Sequence, residues 1–327
     1  MGSLPYNDPM ARRERVERPH FSWMTWGMLL KCPRRYFLNA YAFQFEGDFA
    51  YDVQAQKKLT FWNAWAGQLA DDGISEAIRH FKKHHVWRQD LDQWLKERAR
   101  VWVQDSYAWR RAANVRDPLP DVETQPIDAY YFNTIPDQAA HLEVLEKARS
   151  AVRAWYATDL PSRIESAPAE AIQIRDSGEF PVATHDGVPV YASYDFAIRL
   201  RDRITIFDWK TGKITPENAE KALEQLHWYA LFAMQVWGYQ SDQIRLAPVF
   251  LSTNYAYDET EPDPQTLQGI RESWKTRHRE IKLHMEKFPY LTDLQECFPM
   301  TENLRECASC VFRSCPGFGR IPGTAAV

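Results

Sequence analysis

Three features of the sequence predict an α/β fold. A stretch rich in Trp, Ala, Lys, Arg and Glu, from about Gln54 to Tyr156, has a helical pattern. The residues from Glu170 to Lys210 are those a sheet uses, and beyond them a helix-patterned segment lies between two strand-like ones. The 327 residues, 45% of them hydrophobic, suffice for a sizeable core, which argues against disorder over most of the chain.

In chain order, residues 1–21 read as a flexible basic arm carrying Arg12, Arg13, Arg15 and Arg18. Ser22 precedes Trp23-Met24-Thr25-Trp26, an N-cap ahead of apolar residues. Cys32-Pro33 suits a second helix start, with proline at the first helical position and Cys32 as N-cap, where the helix dipole favours a thiolate. The Gln54–Tyr156 pattern divides into two helical stretches joined by a proline-bearing loop, Asp117 to Pro136. Val182, Val188, Val190, Tyr191, Phe196, Ile198, Ile204, Ile206 and Phe207 supply strands, and His185-Asp186-Gly187 marks a turn. Thr215-Pro216 opens a helix on which Leu223, Leu226, Ala230, Ala233 and Trp237 recur at helical spacing, and Gly238 closes it. Ile244 to Ser252 reads as a strand and Gln265 to Phe288 as a helix. A single domain over 22–318 is expected: a helical lobe at about 54–165, an α/β core at about 166–290 with a mixed central sheet flanked by helices, and a cysteine-rich tail at 297–317.

The formal net charge is −4 and the mean hydropathy −0.53. No run approaches the roughly 18 uninterrupted apolar residues of a membrane span, and no apolar segment follows the N-terminal arginines. Neither membrane insertion nor secretion is expected. Five cysteines without a secretory signal point to a reducing cytoplasm and favour metal ligation over disulfides. The charge balance is not that of a protein that coats nucleic acid, so such contact needs a local patch. Two stretches could supply it: the arm with Lys31, Arg34 and Arg35, and the run containing Arg79, Lys82, Lys83, Arg88, Lys96, Arg98, Arg100, Arg110, Arg111 and Arg116. The simpler reading of that run is solvated helix surface.

Val190 to Leu200 leads through Arg201-Asp202 into Arg203 to Lys210, two short strands around a tight turn. A turn centred on Arg201-Asp202 sets Asp195 directly opposite Asp208, with Cβ atoms roughly 4.5 to 5.5 Å apart. Lys210, two residues on, shares the face of Asp208. Opposed carboxylates repel, so the pair makes sense around a cation, and magnesium suits such a site. A metal there would polarise a scissile phosphate and acidify its water, while Lys210 orients the attacking water and offsets developing negative charge. The alternative is an exposed hairpin with an ordinary salt bridge.

In this order the stretch resembles the RecB-like branch of the PD-(D/E)xK nucleases: an aspartate in a strand (Asp195), a hydrophobic run into D-x-K-T-G (Ile206-Phe207-Asp208-Trp209-Lys210-Thr211-Gly212), then a helix with Q-x-x-x-Y (Gln225 to Tyr229). The resemblance implies a restriction-endonuclease-like core, Mg2+ or Mn2+ as cofactor, and catalytic roles for Asp195, Asp208 and Lys210. It implies that Gln225 and Tyr229, one helical turn apart, brace the site or touch the substrate strand; otherwise Tyr229 is a core aromatic. Glu170 sits where a further acidic residue often precedes the hairpin strands. The family's G-x-x-x-H motif is matched here by Gly67-Gln68-Leu69-Ala70-Asp71, so that Asp71 replaces the histidine. The implied metal ligands are Asp71, Asp195 and Asp208, and the exchange of histidine for aspartate bears on metal preference. His80, His84 and His85 read as solvated helix face.

Cys307-Ala308-Ser309-Cys310 followed by Cys315-Pro316 gives C-x2-C-x4-C-P, which can wrap one metal centre if a fourth ligand is supplied. Four cysteines could hold zinc. The resemblance is to iron-sulfur members that bind a [4Fe-4S] cluster through one N-terminal and three C-terminal cysteines, which implies Cys32, Cys307, Cys310 and Cys315 as ligands. Cys297 is then a buried small residue, or the substitute for Cys32. Such a centre would tie the two ends of the chain together, a cross-link worth roughly 5 kcal/mol of loop-closure entropy.

The resemblance implies an exonuclease acting on single-stranded DNA or DNA ends, in repair, recombination or defence, akin to helicase-linked and CRISPR-adaptation nucleases. Its partners would be DNA and a helicase or other repair or defence protein. Thirteen Trp and fifteen Tyr could offer stacking platforms for bases, although Trp23, Trp26, Trp62 and Trp65 sit in apolar company and read mainly as packing. Two other readings compete. One is a catalytically decayed iron-sulfur module that binds DNA or a helicase; the other is a zinc-stapled structural protein, which leaves the opposed carboxylates unexplained.

Overall fold

The computed structural model describes residues 20–42, 47–174, 182–252, 258–287 and 294–317, so the basic arm with Arg12, Arg13, Arg15 and Arg18 lies outside the described residues. The chain forms two compact units, each assembled from separated stretches: Met1–Phe61, Trp102–Ile135 and Lys275–Val327 in one, Trp62–Val101 and Pro136–Trp274 in the other.

After a two-residue strand, β1 (Phe21–Ser22), helix α1 (Trp23–Lys31) starts where the sequence predicts. The Ser22 hydroxyl accepts from Thr25 N–H at 3.2 Å and the Thr25 hydroxyl accepts from Ser22 N–H at 2.8 Å, a reciprocal capping box. Cys32 both ends α1, its N–H donating to Met28 O at 2.8 Å, and caps α2 (Pro33–Ala40), which opens on the proline.

Where the sequence suggests one helical stretch before Asp117, the structure has three helices: α3 (Asp48–Lys57), α4 (Trp62–His84) and α5 (Leu91–Val115). Neither glycine nor proline marks the break after α4. His85 makes it by adopting φ 57°, a region histidine enters more readily than most residues, and Trp87 turns back to stack on Phe81 at 4.5 Å. The predicted loop carries one helical turn, α6 (Asp128–Tyr131). Asp137 then caps α7 (Gln138–Tyr156) by accepting from Ala140 N–H at 2.9 Å, and α8 (Leu160–Ser166) follows.

Strands β2 (Ile172–Ile174), β3 (Val182–His185), β4 (Val188–Tyr191), β5 (Phe196–Arg199) and β6 (Ile204–Lys210) occupy the region read as sheet. β3 and β4 form a hairpin at the predicted turn, with Asp186 and Gly187 at φ 51° and 83°. The main sheet has the order β2-β5-β6-β7, antiparallel except for the parallel pair β6 and β7 (Ile244–Phe250). A parallel pair needs a crossover, and α9 (Pro216–Val236) provides it. α9 begins at Thr215, whose hydroxyl accepts from Asn218 N–H at 3.2 Å, and stops before Gly238 at φ 76°.

β6 is buried along its length except at Lys210, as befits a strand covered on both faces. On one face Phe196, Phe207, Trp209, Ala247 and Val249 pack with Leu69 and Ile74 of α4 and Val152 and Trp155 of α7. α9 covers the other. The fold is thus α/β with a mixed sheet flanked by helices. α10 (Pro264–Lys287), α11 (Leu294–Cys297) and α12 (Leu304–Ala308) complete the chain, and no helix among the described residues is long and apolar enough to cross a membrane.

Candidate active site

The hairpin of β5 and β6 pairs Phe196 with Phe207 and Arg199 with Ile204. Leu200 N–H donates to Arg203 O at 2.8 Å across the Arg201-Asp202 apex, so the register is the one read from the sequence. Continued by one residue, it sets Asp195, immediately before β5, opposite Asp208 on β6.

Asp208 is 1% exposed, on the face covered by α9. Strand alternation brings Lys210 to the same face, where its ammonium forms an ion pair with Asp208 Oδ2. α9 delivers Gln225 to this pair. Lys210 Nζ donates to Gln225 Oε1 at 2.8 Å, while Gln225 Nε2 donates to Asp208 Oδ1 at 3.1 Å and to Tyr229 Oη at 2.6 Å. Because an ammonium has only donors, it dictates which way the amide points: oxygen to Lys210, NH2 to Asp208 and Tyr229. Tyr229, one turn further along α9 and 2% exposed, is at once a core aromatic and the phenolic end of this network.

Asp195 Oδ2 accepts from the backbone N–H of Trp209 at 2.8 Å. The Trp209 side chain projects to the opposite face of the sheet, where its ring stacks with Phe196 at 6.5 Å and its indole N–H donates to Asp71 Oδ1 at 2.8 Å. Asp71 reaches this point on α4, one turn after Gly67. That glycine permits close approach to the end of β6, since a Cβ on Gly67 would lie 2.9 Å from Thr211 Oγ1. Sequence reasoning singled out Asp71 and missed Trp209. Alternation turns the middle residue of D-x-K away from the carboxylates, and the one available hint was that a buried indole needs an acceptor.

Removal from water, followed by the charges of Asp208 and Asp71, pushes the Asp195 carboxyl well above its usual range, and Lys210 and the Trp209 N–H offset only part of this. Burial pushes Lys210 down, but Asp208, Asp195 and Asp71 outweigh it and hold its ammonium above the ordinary lysine value. A lysine held in this way acts through its charge and its donors rather than as a base. Asp195 and Asp208, opposed on paired strands, offer hard carboxylate oxygens of the kind a divalent cation takes. Among the described residues no three or more His, Cys, Asp or Glu side chains are gathered to hold a metal ion. In this arrangement the acidic groups are engaged by protein donors instead: Asp208 by Lys210 and Gln225, Asp195 and Asp71 by the two N–H groups of Trp209.

In the other unit, Cys32, Cys307, Cys310 and Cys315 line one cavity together with Arg35 and Gly317. A Cβ on Gly317 would sit 3.5 Å from Cys307 Sγ and 3.7 Å from Cys315 Sγ. All five cysteines are free thiols, and the buried Cys297 lies outside this lining. Burial pushes the Cys310 thiol up to about 11 against the opposing charge of Arg35, and it raises Cys315 as well, against a backbone donor at Gly317 and the charge of Arg34.

Glu170 is exposed on the turn Ala169–Ala171 ahead of β2, outside the carboxylate network. Several members of the basic run are neutralised within the fold: Arg88 by Glu76 and Asp90, Lys96 by Asp92, Arg98 by Asp72, Arg100 by Glu97, and Arg116 by Asp52. Of the four tryptophans read as packing, Trp26 and Trp65 are buried and Trp23 and Trp62 partly so.

No curated protein matches the chain. A family model described as the PD-(D/E)XK nuclease superfamily matches residues 20–316.

Proposed function

The chain belongs to the PD-(D/E)XK nuclease superfamily, and from that premise we propose that it is a divalent-cation-dependent deoxyribonuclease of the RecB-like branch. The observation that carries this reading is the linkage of Asp208, Lys210, Gln225 and Tyr229 in one hydrogen-bonded network beside Asp195. An exposed surface salt bridge would leave Asp208 in water; here it is 1% exposed. Single strands or free ends as substrate, and a role in repair, recombination or defence beside a helicase, follow from the sequence resemblance.

Asp71, Asp195 and Asp208 are the residues that would hold Mg2+ or Mn2+, which when bound would polarise the scissile phosphate and acidify its water. Lys210, cationic at neutral pH, counters negative charge developing on the phosphate and donates to the incoming water. Gln225 keeps that ammonium on the Asp208 side of the site, and Tyr229 keeps Gln225 in place. For the second centre we assign Cys32, Cys307, Cys310 and Cys315 to a [4Fe-4S] cluster, a reading supported by their sharing one cavity.

The test is cleavage of end-labelled single- and double-stranded DNA by anaerobically purified protein with Mg2+ or Mn2+, beside Asp208→Ala and Lys210→Ala. Wild type is expected to cut, ends first, with each variant slower by about 10²-fold or more. DNA left equally intact by all three would end the nuclease reading in favour of a DNA-binding module. Iron and sulfide assays on the same sample distinguish a cluster from zinc.

A further inference from the structure

Among the described residues, folding withdraws the aromatic rings from water with one exception: Tyr107 on α5 is the one Tyr, Trp or Phe left exposed, at 47%. Its ring meets that of Tyr130 on α6 edge to face, 5.0 Å between centroids, and Tyr130 is itself buried. One turn further along α5 stand Arg110, partly buried, and Arg111, exposed. At spacings of three and four residues both share the face of Tyr107. We propose that Tyr107, Arg110 and Arg111 form a contact surface for single-stranded DNA, the ring stacking on an unpaired base and the two guanidiniums holding phosphates beside it. The choice of DNA rests on the nuclease reading above.

A stacking platform needs a ring that is both open to solvent and held in place. The buried ring of Tyr130 steadies Tyr107 from one side while nearly half of the residue stays in water. Every base has a π-face, so such a platform tolerates any sequence, but the base must be free of a partner strand. The arginines supply the charge. Arg88, Lys96, Arg98, Arg100 and Arg116 of the same basic run are paired with carboxylates, whereas Arg110 and Arg111 form no ion pair among the described residues. Between Trp102 and Val115 the one acid on α5 is Asp105, two residues from Tyr107 and therefore on another face of the helix. Its carboxylate accepts from Thr124 N–H at 2.8 Å and from the Thr124 hydroxyl at 2.9 Å. Two planar guanidiniums and an open ring, with no carboxylate of α5 on their face, complement a polyanion with unpaired bases. The three residues belong to one compact unit, Asp208 and Lys210 to the other, so binding can be measured apart from cleavage.

The experiment is fluorescence anisotropy of labelled oligothymidylate and of a labelled duplex, titrated in chelator with the full chain over a series of salt concentrations. Wild type is compared with Tyr107→Ala, Tyr107→Phe and the double variant Arg110→Gln/Arg111→Gln. Y107A is expected to weaken single-strand binding about 10-fold and leave duplex binding unchanged, and Y107F, which keeps the ring, to bind as wild type. The double arginine variant should bind more weakly and flatten the slope of log K against log salt by about 1.4, the value for two single-strand phosphates. Y107A binding the single strand as wild type overturns the stacking role, and so does an equal loss on single strand and duplex. An unchanged salt slope in the arginine variant overturns the phosphate contacts. A wild-type chain that binds no oligothymidylate overturns the surface even if it cuts DNA when Mn2+ is added. Binding that depends on Tyr107 in a chain that cuts no DNA upholds the surface and ends the nuclease reading alone. Should Y107A lose its native far-UV spectrum, Tyr107→Leu, which keeps an apolar contact for Tyr130 but offers no ring, is titrated in its place.

Discussion

Lys210 donates to the side-chain oxygen of Gln225 at 2.8 Å, and the same amide donates on to Asp208. A helix and a strand thus meet through one glutamine that touches both charges of D-x-K. Gln225→Ala removes this link without altering any charge. It is expected to lower kcat about 10²-fold through misplacement of Lys210, with KM for DNA little changed, in steady-state cleavage assays.

Asp195 is held far above its usual pKa by burial and by Asp208 and Asp71, so its ionisation opposes folding. The sign is that of a raised folded-state pKa: relative stability is full below the unfolded carboxylate value and is lost as pH rises toward the folded one. Asp195→Asn, whose amide oxygen can still accept from Trp209 N–H, should therefore melt higher than wild type at pH 8 in chelator. The gain should vanish at pH values below ordinary carboxylate titration, and activity should be lost. Equal melting temperatures at pH 8 would contradict this.

His185 behaves in the opposite sense. Burial, then the charge of Arg271, lowers it from 6.5 to about 4, and its ring lies 5.3 Å from Trp274. Its contribution is complete above the unfolded value near 6.5 and is lost as pH falls toward 4, because only the unfolded chain takes up the proton in that window. In urea melts the stability of His185→Phe relative to wild type should rise between pH 7.5 and pH 5, because only wild type loses stability by protonation in that window.

Phe207 is fully buried, stacked on Phe196 at 5.3 Å, and adjoins Asp208. Phe207→Ala should cost about 3 to 5 kcal/mol in denaturant unfolding, the cavity adding to the lost transfer energy. Phe207→Leu should cost less and retain measurable cleavage.

For the cysteine cavity, Cys310→Ser should lose bound metal and melt several degrees lower, whereas Cys297→Ser, altered outside the lining, should keep its metal. Metal analysis and melting of the two anaerobically purified variants decide this.

Much of the site was legible because it is written in short periods. The period of two in β6 puts Asp208 and Lys210 on one face, the helical period puts Gln225 and Tyr229 on another, and the Arg201-Asp202 apex sets the register that opposes Asp195 to Asp208. Local chemistry likewise located the caps at Ser22, Cys32 and Thr215 and the turn at Asp186-Gly187.

Tertiary packing decided the rest. The break at His85 comes from Trp87 finding Phe81, not from a residue that forbids helix. The tie between Trp209 and Asp71 joins positions far apart in the chain and requires α4 to pack close beside β6, which Gly67 allows. The sharing of one cavity by Cys32 with Cys307, Cys310 and Cys315 likewise depends on how the two ends of the chain pack. Sequence by itself determined which residues share a face, because backbone geometry repeats every two or 3.6 residues. Which faces meet depends on the packing of side chains distant in sequence, and only the tertiary structure holds that.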